Sequence, residues 1–247
     1  MTTMTDPPAI PTQNTNVPQQ RSRTSRDRNF VSEIEKTCKE DAGARAALRS
    51  GLRKDLNSVP RMHRFIAKWL AEDERSGDKA RAYYAVAAMI ASQPRSSYAT
   101  TSASPDEDAA ASAAPDDATA QPAHVARRYG TSLGATFAIA VTKGPGREKQ
   151  MRGTRAEGRL NLLTRQSVNG LHRHLPASVS YLRSLDVPVD WVQLLGDLSN
   201  WRRHSGRISR RWLQDFYRLY AQSEHDRAND DDVQELMAPA PAETHTN

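Results

Sequence analysis

The chain has 247 residues with 35 Lys and Arg against 29 Asp and Glu, and a formal charge of +6. Only 37% of the residues are apolar and the mean hydropathy is -0.74, so part of the length cannot pack into a core. No apolar run approaches the roughly 18 residues that span a bilayer, which excludes a transmembrane reading. The single cysteine, Cys38, excludes an intrachain disulfide. A basic fold points first to polyanionic partners, nucleic acid before membrane.

Residues 1–28 carry Pro7, Pro8, Pro11 and Pro18 among Thr, Gln and Asn, then Arg21, Arg23, Arg26 and Arg28. They read as a disordered basic arm, too poor in apolar area to offset chain entropy. They lack the apolar h-region of a signal peptide. With one free cysteine, the expectation is a soluble protein of the reducing cytoplasm.

Residues 30–92 read as an N-terminal helical part. Phe30, Ile34 and Cys38 recur at four-residue spacing, and Asp41 suits the cap of a helix carrying Ala44, Ala47 and Leu48. Pro60 suits the first turn of the next helix, whose apolar set is Met62, Phe65, Ile66, Trp69 and Leu70. Lys79 to Ser92, rich in Ala, Tyr and Met, reads as buried helix. Residues 93–123 then change character: Ser, Thr, Ala and Pro with Asp106, Glu107, Asp108, Asp116 and Asp117 make a flexible acidic insertion.

Residues 124–220 read as a C-terminal helical bundle. A helix is predicted from His124 to Val141, and a second over Met151 to Asn169 within the most basic stretch, Lys143 to Arg173. Pro176 and Pro188 are expected to punctuate the helices that follow. Val189, Trp191, Leu194, Leu195, Leu198 and Trp201 form one apolar stripe. Ile208, Trp212, Leu213, Phe216, Tyr217 and Leu219 form another. Residues 221–247 read as an acidic tail. No strand alternation or hairpin signal competes, so the predicted class is all-α.

The sequence holds no Walker loop, dinucleotide fingerprint, nucleophile elbow or Cys-x-x-Cys. His172 and His174 are two residues apart, which on a helix points them to different sides, so no metal site is expected. Asp230, Asp231 and Asp232 read as a solvated charge block. The chain offers no catalytic set and calls for no cofactor.

Arginine carries the information instead. At about 100° per residue, Arg152, Arg155, Arg159 and Arg165 fall within one broad arc, with Leu160 and Leu163 toward the core. The whole Lys143–Arg173 stretch holds only two acids, Glu148 and Glu157. A planar guanidinium donates bidentately to phosphate oxygens, so this face reads as a phosphate-binding row rather than a merely solvated one. A second row is Arg45, Arg49 and Arg53, with Gly51 placed to end the helix before Arg53. A third cluster is Arg202, Arg203, Arg207, Arg210 and Arg211 beside Trp201 and Trp212. Those tryptophans continue apolar stripes and read as core rather than base-stacking platforms, and some of the arginines are positioned to pair with Asp197 and Asp215.

In order along the chain stand Gly43-Ala-Arg-Ala-Ala-Leu-Arg49, Val59-Pro-Arg-Met-His-Arg-Phe65, Arg81-Ala-Tyr-Tyr-Ala-Val-Ala87 and Ser132-Leu133-Gly134. Gly158-Arg-Leu-Asn-Leu-Leu-Thr-Arg165, Val187-Pro-Val-Asp-Trp191 and Arg211-Trp-Leu-Gln-Asp-Phe-Tyr217 follow. This series, over roughly residues 30–220 without the acidic insertion, resembles the CasB family, the small subunit of the type I-E CRISPR Cascade complex. The resemblance implies two small helical bundles joined into an elongated subunit with no catalytic role. It implies partnership with other Cascade subunits and a second copy of the chain, and contact with the R-loop of guide RNA and target DNA, displaced strand included. It implies nucleic-acid contacts at Arg49, Arg159 and Arg165, and on the same faces at Arg45, Arg155, Arg173 and Arg203. The arm and the acidic insertion depart from the compact family pattern. Two other classes stay open on the residues alone: a free-standing DNA-binding regulator, with Asn161 and Gln166 as base readers, and a protein-interaction adaptor. An enzyme with an unrecognised site ranks last.

Overall fold

The computed structural model describes residues 17–94, 130–142 and 149–237, and every regular element among them is helical. In chain order these are α1 (Val17–Glu40), α2 (Ala42–Arg49), α3 (His63–Ile66), α4 (Asp78–Ala91), α5 (Leu133–Val141), α6 (Gly153–Thr164), α7 (Val168–Ser184) and α8 (Trp191–Met237). Short 3-10 turns link α2 to α4. Residues 1–16 of the arm, nearly all of the acidic insertion and the end of the tail lie outside the described residues.

The core is one contiguous set of buried side chains. It runs from Phe30, Ile34 and Leu48 through most of α4 to Leu160, Leu175, Leu198, Trp201 and Trp212. The helix α4 is the central element: Ala80, Ala82, Tyr83 and every residue from Val86 to Ala91 are buried. Small alanines along it let α1, α2, α7 and α8 approach closely. The helix α5 is likewise buried nearly all round and packs on α8. There Gly134 is obligatory, because a Cβ at that position would sit 1.7 Å from the Trp212 carbonyl oxygen.

Caps place the helix starts. Asp41 Oδ1 accepts from the amides of Gly43 (2.7 Å) and Ala44 (3.0 Å) and opens α2 as expected. Ser132 Oγ accepts from Ala135 N at 3.2 Å and donates to Asp215 Oδ2 at 2.6 Å. Of the helix expected over His124 to Val141, Gly130, Thr131 and Ser132 stand outside the helix that opens at Leu133, and 124–129 lie outside the described residues. Ser167 Oγ accepts from Gly170 N at 3.3 Å and opens α7. Pro60 stands at the first position of a 3-10 turn, and a single regular helix over its apolar set gives way to short 3-10 and α segments.

Four further features differ from the sequence expectation. Helix α1 begins at Val17 rather than near Phe30, and its residues 26 and 27 are held by α4 and the turn before it. The Tyr83 hydroxyl donates to Asp27 Oδ1, and Arg26 pairs with Glu74 at 3.3 Å. The expected helix 151–169 breaks in two at Arg165–Ser167. Pro176 lies inside α7 instead of ending it. Proline within a helix costs about 3 kcal/mol, but α7 buries Leu171, Leu175, Val179 and Leu182, each worth about 1.5–3 kcal/mol. Helix α8 continues through the expected tail to Met237, with a non-helical residue, His204 (φ −135°, ψ 23°), marking a kink.

Candidate nucleic-acid interface

Helix α6 buries Ala156, Leu160 and Leu163. Its only acid, Glu157, is turned toward α8, where Oε1 accepts from the Tyr217 hydroxyl at 2.6 Å. The opposite flank is left to Arg152, Arg155 and Arg159, none of which forms an ion pair among the described residues. Arg152 and Arg155 are exposed. Arg159 is half-buried, its guanidinium carbon 4.7 Å from the centroid of the Tyr181 ring on α7. A ring face attracts the cation and restricts its rotamers, so the charge is presented in a held position. The tyrosine that does this belongs to no apolar stripe, and nothing in the linear sequence marks it as the partner of Arg159.

Arg165 is exposed and closes α6 at its C-cap. Its neighbours are fixed from both sides of the α8 kink: Ser209 Oγ donates to the Thr164 carbonyl at 3.1 Å, and Trp201 Nε1 donates to the Gln166 carbonyl at 3.1 Å. These bonds satisfy carbonyls left over at the helix end and anchor the backbone that carries Arg165. They also place it at the helix end rather than in the row formed by Arg155 and Arg159.

On α2, Arg45 and Arg49 have different surroundings. Arg45 donates from Nε to the Ala91 carbonyl (3.2 Å) and from Nη2 to the Gln93 carbonyl (2.5 Å), capping the C-terminus of α4 as a cation should. Arg49, one turn on, is exposed. Arg53 lies beyond the helix with φ 62°, so the expected three-residue row ends at Arg49.

Arg173 is exposed on α7, one turn beyond Asn169, whose Oδ1 accepts from Arg81 of α4. Close by, Arg202 makes a two-pronged pair with Asp78 at the start of α4 and holds that carboxyl below the usual range. Arg203 is exposed immediately before the kink. Arg211 is turned inward onto Asp197, the pairing anticipated for this cluster, and Asp215 takes Arg218 at 3.5 Å rather than one of the five. Trp201 and Trp212 are 1% and 0% exposed, which settles them as core.

Among the described residues no cluster of His, Cys, Asp and Glu is grouped to hold a metal. His172 is buried and His174 half-buried. No helix among the described residues is long and apolar enough to cross a membrane.

The structure thus presents exposed or ring-held arginines on α2, α6, α7 and α8, each carried by a rigid helix or its cap. Comparison with known proteins adds the family. The family model of the CRISPR-associated protein Cse2 matches residues 44–217. A chain of a structure described as a CRISPR RNA-guided surveillance complex, pre-nicking, is 30% identical, with 83% of this chain and 98% of that chain covered and a TM-score of 0.64. The crystal structure of M. ruber CasB (23% identity, 82% and 98% covered, TM-score 0.61) shares the fold. So does a Cse2-family protein of Thermus thermophilus (20% identity, 77% and 97% covered, TM-score 0.51). No curated protein matches the chain. Most of the chain is accounted for by one family model and by structural relatives covered almost completely, and the chain belongs to the Cse2 family of CRISPR-associated proteins.

Proposed function

We infer that this chain is the non-catalytic small subunit of a type I-E Cascade surveillance complex. In that reading it steadies the R-loop of guide RNA and target DNA through sequence-independent arginine–phosphate contacts. The observation that carries it is the likeness to a chain of an RNA-guided surveillance complex over almost all of that chain's length. The acid-free arginine flank of α6 supports the phosphate grip. Exchange of a DNA duplex for an RNA–DNA heteroduplex is nearly balanced, so contacts to the backbone can tip it. A subunit that serves any guide cannot read bases, and charge on a rigid frame is the chemistry that remains.

Arg159, held over Tyr181, Arg155 beside it and Arg165 at the α6 cap are the contacts we assign first, with Arg49, Arg173 and Arg203 on neighbouring faces. Arg45 is assigned a supporting role, because its guanidinium already caps α4. The partners are the other Cascade subunits, a second copy of this chain, and both target and displaced strands. Reconstitution of the full chain with the remaining subunits and guide RNA tests the assignment. Co-elution as a stoichiometric complex, with an R-loop that dissociates faster when Arg155, Arg159 and Arg165 are alanine, is the expected result. Failure to join the complex, or an unchanged R-loop lifetime in the variant, contradicts it.

A further inference from the structure

Beyond the kink, α8 carries an open groove of about 710 Å³ lined by Gly206, Ser209, Arg210, Leu213, Gln214 and Tyr217, with Arg218 at its far end. Its floor is apolar, and Tyr217 is 45% exposed, one of only two large apolar side chains so exposed among the described residues. The ring does not swing freely. Its hydroxyl donates to Glu157 Oε1 at 2.6 Å, and its ring meets that of Phe216 in a T-shaped contact at a centroid distance of 5.2 Å. A ring pinned at its hydroxyl and at its inner edge, with its outer side open, is a preorganised flat surface.

The charge lies alongside. Arg207, Arg210, Gln214 and Arg218 follow one another at three- and four-residue steps on α8, a strip directly beside Leu213 and Tyr217. Arg207 and Arg210 are exposed and form no ion pair among the described residues, and Arg218, itself exposed, has a long pair at 3.5 Å with the half-buried Asp215, which also accepts from Ser132. Arg210 and Arg218 stand about 12 Å apart along the axis, one toward each end of the groove. An apolar ring surface between two accessible guanidinium groups matches a base with its flanking phosphates, the combination by which proteins hold single strands without reading sequence.

We propose that the groove between Arg210 and Arg218 is a base-stacking site for single-stranded nucleic acid, with Tyr217 as its platform. This rests on the nucleic-acid reading above but names a site on a different helix from the α6 arginines. The tryptophans of the same cluster, the obvious stacking candidates in the sequence, are buried and cannot serve.

The test uses the full chain and a short single strand carrying 2-aminopurine, beside an otherwise identical strand with abasic positions. Tyr217→Leu is expected to weaken binding of the base-bearing strand about tenfold, within the range of one base–aromatic stack, and to leave abasic binding unchanged. The salt dependence should not move. Tyr217→Phe, which loses the Glu157 bond but keeps the ring, should retain most of the affinity and the 2-aminopurine quenching. Circular dichroism confirms that each variant is folded, and Tyr217→Phe and the abasic strand carry the test if Tyr217→Leu is not. Equal binding of abasic and base-bearing strands, or an unaltered affinity in Tyr217→Leu, overturns the stacking site while leaving the α6 grip standing. A Tyr217→Leu chain that binds strands normally but no longer joins the other subunits makes the groove a protein contact and overturns it too. No binding of any strand by the wild-type chain overturns both readings.

Discussion

Asp197 shows how a charge can be kept in this core. It is 4% exposed, and burial pushes its carboxyl above the ordinary range in spite of Arg211 beside it. The Trp212 indole donates to Oδ2 at 2.7 Å and Gln193 to Oδ1 at 2.9 Å. Asp197→Ala would take a charge partner from the part-buried Arg211 and the acceptor from the buried Trp212 indole, and a buried donor left unsatisfied costs about 1–3 kcal/mol. Thermal unfolding should show a loss of that order. His172 sets the acid response. Burial first, then the nearby Arg81, push its imidazole down to about 4 from the usual 6.5. Between those values the unfolded chain binds a proton that the folded chain does not. The associated stability is therefore whole above pH 6.5 and lost as pH falls toward 4, by about 3 kcal/mol at most. Denaturation in urea at several pH values should show that slope, and His172→Gln should flatten it.

At the scale of elements, the motif Ser132-Leu133-Gly134 acquires a physical meaning. Ser132 caps α5 and reaches Asp215 on α8, and Gly134 lets the α5 backbone touch the α8 backbone. Gly134→Ala is expected to cost about 3 kcal/mol or more, since backbone cannot move aside as a side chain can. Ser132→Ala should cost about 1 kcal/mol for the cap and somewhat more for the lost Asp215 bond, both read from unfolding curves. The apolar stripes were largely legible because they are local: Trp201, Ile208, Trp212 and Phe216 are buried as their periodicity predicts, whereas Tyr217 of the same stripe is 45% exposed, its hydroxyl drawn outward to Glu157. The boundaries were not, because partners distant in sequence set them. Nothing near Arg26 and Asp27 announces Glu74 and Tyr83. Nothing near Arg165 announces that Trp201 and Ser209 will take the carbonyls around it and split one expected helix into α6 and α7.

For the whole molecule, apolar periodicity without strand alternation pointed to the all-α class, and the ordered series of short motifs pointed to the family that the comparisons then showed. Which arginines are available was legible only in part. Spacing grouped Arg155 with Arg159 and hinted that Arg53 falls outside its row. Spacing held no sign that Arg45 caps α4, that Arg202 pairs with Asp78, or that Tyr181 holds Arg159. Those depend on which helix ends meet across the shared core. The proposed grip is sequence-blind, electrostatic and centred on α6. Its most direct test is the salt dependence of binding to two unrelated single strands, for the full chain and for Arg159→Ala with Arg165→Ala. A grip on phosphates gives near-equal affinity for both sequences and a steep log–log slope, about −0.7 per phosphate contact, shallower by about 1.4 in the double variant. A strong preference for one sequence, or an unchanged slope in the variant, would contradict it.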